Sequence, residues 1–454
     1  MKDSDHNLDV FEPYFFNSFI DNLEKKNSKN LLALIKDFHP AEIASYLQIL
    51  NEFHRKKLLK LLEKDFDGKI LVELEPSFLE KIIDEIDFKI IKKAVNELDS
   101  DEAASIIELL DFEKKNRILS EISKKDRSLI EDNLSYKENT AGRLMQKEVV
   151  KVLHNFDVGG TIDYLRKSKS LPSVFYDIFL VDQNERFMGT VPLCTIISNS
   201  RRKKISSIIK NKNPSVHFST DQEDVADIFR KRNLTSIAVV DDEGKLLGMI
   251  NVDDVVDVID DEAEEDILKL AGVVGDQNFY DAIISITKAR FTWLFFNLIA
   301  AFFATYVIKN FENTIEKLTV LAAIMPIVAS MGGCSGTQSL TTAVRAIAMK
   351  QLTWSNAIRS TGKELIIGFL NGIIFSILSF FVTYIWFDDY YLSSVISISL
   401  LFNLIFGSFF GTFVPILLTR AGVDPAIASG TFVTTLTDIM GFFIFLSLAT
   451  FYLI

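Results

Sequence analysis

The chain has 454 residues, with 49 Lys or Arg against 61 Asp or Glu and a net charge of -12. Residues 288–454 hold 9 basic and 7 acidic side chains, so the acidic excess lies wholly in the first 287 residues. Such an acidic body argues against nucleic acid as a partner, since phosphate binding needs clustered Lys and Arg. The two cysteines, Cys194 and Cys334, make no disulfide framework and no Cys-rich metal site.

The first stretch, "MKDSDHNLDVFEPYFF", lacks an apolar core, so no cleaved signal peptide is expected. Residues 1–132 then repeat at an offset of 60: "AEIASYLQIL" (41–50) matches "DEAASIIELL" (101–110). Apolar residues recur there at helical spacing, which predicts an α-helical, superhelical N-domain and no catalytic one.

A second repeat has an offset of 59. "FLVDQNERFMGTV" (179–191) matches "AVVDDEGKLLGMI" (238–250), each an extended run, an Asp-rich turn and a second extended run before a helix. Two such β–β–α units, 133–200 and 201–258, resemble a tandem CBS (α/β) pair. That resemblance implies adenine-nucleotide binding, ATP included, in the clefts. Asp253 or Asp254 could hold a ribose or act as a helix cap. The short basic run Arg201–Lys204 reads as a solvated loop.

Residues 251–266, "NVDDVVDVIDDEAEED", carry nine carboxylates and no base. On a helix they repel at i,i+3 and i,i+4 spacing. Oxygen ligands suit hard divalent cations such as Mg2+. Without an EF-hand pattern, several weak hydrated sites are expected, as in a sensor of cytosolic Mg2+, on a connecting segment placed at 259–286. The run reads equally as a solvated charged face; if it is a sensor, its candidate acids are Asp253, Asp254, Asp257, Asp261, Glu262, Glu265 and Asp266.

Five apolar stretches, about 291–308, 318–344, 365–387, 391–419 and 425–453, are long enough to cross a bilayer, so 287–454 reads as a five-helix transmembrane domain. Arg345, Lys350, Arg359 and Lys363 lie between spans two and three, and Asp388 and Asp389 between spans three and four. The positive-inside rule then gives a cytoplasmic N-terminal body and an external C-terminus. Asp438 is the only Asp, Glu, Lys, Arg or His deep within a span. An intramembrane carboxylate without a basic partner marks a functional site. Thr431 and Thr434 precede it by two turns and one turn, and Thr435 flanks them. A hydrated Mg2+, which keeps its waters and uses few carboxylates, fits such a strip. Span two interrupts its apolar run with "SMGGCSGTQSL" (330–340). Gly332, Gly333, Cys334 and Gln338 there either line a cavity, with loosened or closely approached backbone, or serve helix packing.

The stretch "MPIVASMGGCSGTQSLTTAVRAIA" (325–348) closely resembles the second-span motif of the MgtE family of magnesium channels. "GVDPAIASGTFVTTLTDIMGFFIFLSLA" (422–449) resembles that family's last span, and "DEAEEDILKLAGV" (261–273) its connecting, or plug, helix. "TAGRLMQKEVV" (140–150) and "FHPAEIASYL" (38–47) resemble its CBS entry and N-domain. The resemblance implies a homodimer in the cytoplasmic membrane, with a pore lined by spans two and five of both subunits. It implies that Asp438 holds hydrated Mg2+, that Asp221 and Glu223 join the sensor set, and that high internal Mg2+ closes the pore. Cys334 stands where the family usually has Asn, and Thr431 where it usually has Pro, which opens selectivity to Mn2+ and Co2+. Two other readings are a membrane-anchored CBS sensor that does not transport and a proton-coupled transporter. No Ser/His/Asp set, P-loop or catalytic metal cluster is legible, so no enzymatic activity is expected.

Overall fold

Short helices fill the first third of the chain, and side-chain caps open several of them. The computed structural model describes residues 13–24, 31, 35, 38–63, 65–168, 171–172, 174–209, 214–273 and 283–453. Helices α1 (Pro13–Glu24), α2 (Pro40–Ile49), α3 (Glu52–Leu62), α4 (Lys69–Val72), α5 (Pro76–Glu85), α6 (Phe88–Glu97), α7 (Ser100–Glu108), α8 (Phe112–Glu121) and α9 (Lys124–Asn133) form the N-domain. Asn51, Asp87, Asp111 and Ser123 each accept a backbone N–H from the turn they open. The offset of 60 is visible atom by atom. Capping boxes pair His39 with Glu42 and Asp99 with Glu102. Ser45 and Ser105 both donate to the carbonyl four residues back, and Ala44 and Ala104 are both buried.

After α10 (Ala141–Leu144) come two units with one topology. In the first, β1 (Lys151–Leu153) runs parallel to β2 (Asp177–Val181), which pairs antiparallel with β3 (Phe187–Pro192). In the second, β4 (Ser215–His217), β5 (Ser236–Val240) and β6 (Leu246–Asn251) repeat that order. The hairpins superpose in sequence at an offset of 59, down to a register shift at Leu180/Val181 and again at Val239/Val240. The turns match as well: Asp182 accepts from Asn184 and Arg186 N–H, Asp241 from Glu243 and Lys245 N–H. Helices α11 (Val158–Lys167), α12 (Leu193–Ser198) and α13 (Gln222–Arg232) cover the sheets. Phe179, Ala238 and Met249 form an apolar seam common to both.

The last helix of the second unit, α14 (Val252–Leu270), is unbroken for 19 residues. The acidic run is therefore continuous with that unit, and the backbone marks no boundary at 258. Gly272, at φ +77°, ends it in a conformation that favours glycine. The rest of the segment expected at 259–286 lies partly outside the described residues. Compact packing divides the chain into residues 1–262 and 263–454.

In the second part, α15 (Ile283–Lys309), α17 (Val320–Ala348), α18 (Ala357–Phe387), α19 (Tyr390–Arg420) and α20 (Pro425–Leu453) are long and apolar enough to cross a membrane, with the short α16 (Glu312–Lys317) between the first two. Helix α19 is the central one and packs on α17, α18 and α20. Small residues make that possible. A Cβ on Gly407 would sit 2.7 Å from the Gly332 carbonyl, and one on Gly411 would sit 2.3 Å from the Gly336 carbonyl. Gly368 and Gly372 of α18 approach α19 in the same way. Span two is thus one helix that runs through Pro326 and all three glycines. Its backbone is closely approached, and it is not unwound.

Candidate functional site

Helix α17 turns two different faces to its surroundings. Gly332, Gly336, Ser339 and Leu340 are buried in the bundle, whereas Ser330, Cys334, Thr337, Gln338, Thr341 and Thr342 are exposed along the opposite side. Spacings of three and four residues put these polar groups in one stripe. With Gly333 of α17 and Thr434 and Asp438 of α20, the stripe lines an open groove of about 920 Å³. The groove is open on one side, so water and a hydrated cation can reach its polar lining.

Most of the span residues singled out in the sequence lie on that groove. Gly333, Cys334, Gln338, Thr434 and Asp438 line it. Gly333 opens onto it, and a Cβ there would meet only Thr434 Cγ2, at 3.9 Å. Thr431 lines a neighbouring cavity of about 450 Å³ with Lys269, Gly272, Arg290 and Thr434. Thr435 is half-buried and is not among the groove's lining residues; its hydroxyl donates to the Thr431 carbonyl at 2.7 Å. Gly332 does not line the groove either, because its Cα faces Asn403 inside the bundle. The threonine hydroxyls bond back to their own helix, Thr434 to the Gly430 and Thr431 carbonyls, which leaves oxygen lone pairs available to the groove.

The acidic residues fall in three places. At the start of α14, Asp254 accepts from Asn251 N–H at 3.2 Å and from Gln146 Nε2 at 3.3 Å, so it acts as a helix-capping carboxylate. Burial, and after it the Asp253 charge, push its pKa up to about 7. Burial together with Asp254 raises Asp101 of the N-domain well above the carboxylate range. Burial and Glu73 raise Asp257. Further along, Glu262 accepts from Gln222 Nε2 at 2.9 Å, next to Asp221, which caps α13 by accepting the N–H of Glu223. Asp261 and Glu223 are exposed. At the far end, Lys269 Nζ bridges Glu265 at 2.5 Å and Asp424 at 2.7 Å, while burial and Asp424 raise Asp266. Among the described residues, no three His, Cys, Asp or Glu side chains converge in metal-ligand geometry.

Sequence reasoning missed Asp99, Asp101, Glu102, Lys269, Asp424 and Asn403. The first three belong to a repeat that reads as structural, and Asn403 has no charge or motif to flag it. It also missed a Ser–His–Asp hydrogen-bond chain. Ser219 Oγ lies 2.7 Å from His217 Nδ1, and His217 Nε2 lies 2.9 Å from Asp242. Asp242 is 88% exposed, and His217 Nδ1 also accepts the Ser219 backbone N–H. The array closes the turn after β4.

Three family models match the chain: a divalent cation transporter domain, MgtE, over residues 325–448; the MgtE intracellular N domain over 38–139; and a CBS domain over 205–261. The chain is 34% identical to the magnesium transporter MgtE of Thermus thermophilus, over 73% of this chain and 74% of that one. It is 32% identical to the magnesium transporter MgtE of Enterococcus faecalis, over 71% of each. The crystal structure of the cytosolic domain of the Mg2+ channel MgtE in complex with ATP is 27% identical, covers 54% of this chain and 99% of that one, and has a TM-score of 0.50. At 32–34% identity over more than two thirds of these transporters, and with MgtE family models matched at both ends, the chain belongs to the MgtE family of magnesium transporters.

Proposed function

We propose that this chain conducts hydrated Mg2+ through a path that passes Asp438, and that a second copy of the chain supplies the opposite wall. The observation that carries the reading is the groove itself: a carboxylate, hydroxyls, an amide and a thiol face outward from one chain at membrane depth. Against lipid tails these groups would be unsatisfied; along a water-filled path between two copies they are solvated. Asp438 attracts the ion, and Thr434, Thr337 and Gln338 accept hydrogen bonds from, or exchange them with, its water shell. A homodimer in the cytoplasmic membrane follows, with the N-terminal domains cytoplasmic and the C-terminus external by the charge of the loops.

The acidic surface is the sensor. Divalent cations at the three groups of acids neutralise repulsion that otherwise loosens their packing, so high cytosolic Mg2+ closes the path and low Mg2+ opens it. The CBS pair takes ATP, a reading supported by the likeness to an ATP-bound cytosolic domain. The exposed Cys334 thiol in the groove favours a second, broader selectivity that includes the softer Mn2+ and Co2+.

Uptake by the chain reconstituted in liposomes tests the proposal. Asp438→Asn is expected to lower Mg2+ uptake at least tenfold while the protein keeps its wild-type elution volume. Wild-type uptake by that variant removes Asp438 from the path. No flux from the wild-type chain favours a sensor without transport, and a requirement for a pH gradient beyond its electrical contribution favours proton coupling.

A further inference from the structure

Asn403 is completely buried in the middle of α19. Its Nδ2 donates to the Val328 carbonyl of α17 at 2.7 Å, and its Oδ1 has no hydrogen-bond partner. The orientation of the amide is secure, because the reverse would set two oxygens at that distance. Two glycines make room for the side chain. A Cβ on Gly332 would lie 2.2 Å from Nδ2, and one on Gly441 of α20 would lie 2.7 Å from it. A residue that only fills space at membrane depth has no need of an amide, since a buried polar atom without a partner is costly. The location matters more. Gly332 adjoins Gly333 on the groove, and Gly441 stands one turn beyond Asp438 on the same helix.

We propose that Asn403 is a positioning residue for transport: a spacer and hydrogen-bond post that sets how α17 and α20 stand against each other and hence where Asp438 lies across from Cys334 and Gln338. It touches no ion. This inference rests on the reading of the groove as the ion path. Leucine at 403 matches the amide in size, removes the bond to Val328 and relieves Oδ1. The bundle then keeps its packing and loses its register.

The test uses the full chain with Cys194→Ser, reconstituted in liposomes. Asn403→Leu is compared with the parent in melting temperature, in the ratio of Mg2+ to Mn2+ uptake, and in the rate at which a methanethiosulfonate reagent modifies Cys334. Expected are a melting temperature within a few degrees of the parent and at least a threefold change in both the ion ratio and the Cys334 rate. Gly441→Ala, which pushes the amide aside without removing it, is expected to shift both readouts in the same sense. Parental ion ratio and thiol rate in both variants overturn the inference, as does failure of both to fold, which would make Asn403 a folding residue. Asp438→Asn in the same assay separates the two readings. If it is inactive while Asn403→Leu is parental, Asn403 alone is refuted; if it is fully active, the ion path itself fails.

Discussion

Replacing Asp254 with Asn should tighten the contact between the N-domain and the second CBS unit when divalent cations are removed. An unperturbed Asp titrates near 3.9, and burial beside Asp253 pushes Asp254 up to about 7. The folded chain thus retains a proton that the unfolded chain releases. The stability held by that proton is complete below about pH 4 and is lost as pH rises through 7. Three pKa units correspond to about 4 kcal/mol, an upper bound because Asp101 shares the burden. Asparagine keeps an oxygen for the Asn251 N–H and removes the charge, so at pH 8 it should return much of that energy. Mg2+ at millimolar concentration should do the same for the wild-type chain. Hydrogen exchange of residues 99–110 and 251–262, corrected for intrinsic rates, measures it in detergent. In EDTA, wild-type protection should fall by up to about thirtyfold between pH 5.5 and pH 8, because only about 1.5 pH units separate pH 5.5 from the folded value of about 7; it should recover with Mg2+ and stay high in Asp254→Asn. Equal wild-type protection at both pH values, or no response to Mg2+, would refute the reasoning.

Other outcomes follow from the same geometry. Gly411→Val places a Cβ 2.3 Å from the Gly336 carbonyl and should destabilise the bundle by about 1–3 kcal/mol, read as a lower melting temperature; Gly333→Ala meets nothing closer than 3.9 Å and should melt like wild type. Lys269→Met frees Glu265 and Asp424 from their shared cation, so the Mg2+ concentration that half-inhibits uptake should fall by about tenfold, or 1.4 kcal/mol. Thiol reagents should block uptake by the wild-type chain and spare Cys334→Ala, because Cys334 lines the groove.

The repeats were legible in the sequence because each copy reuses the same local chemistry. Asp182 and Asp241 close the same turn, and Glu42 and Glu102 complete the same cap. The spans were legible by length, and Asp438 by its cost in a bilayer. The division of labour among the glycines of span two was not. Gly332 and Gly333 are neighbours, yet one faces Asn403 and the other faces the groove; only the rotation of the helix against its partners decides which. The acidic run likewise hid its counterparts. Asp101 and Asp424 lie far from it in the chain and meet it through packing that no spacing rule encodes.

The glycine crossing of α17 and α19 has a mechanical consequence. With backbone carbonyls of one helix lodged against the glycines of the other, neither helix can slide or tilt without collision, and α18 is fastened to α19 in the same fashion. Spans two, three and four then behave as a single rigid slab. On the proposed reading, any widening of the path comes from this slab moving as a whole against α20, which carries Asp438, or against a second copy of the chain.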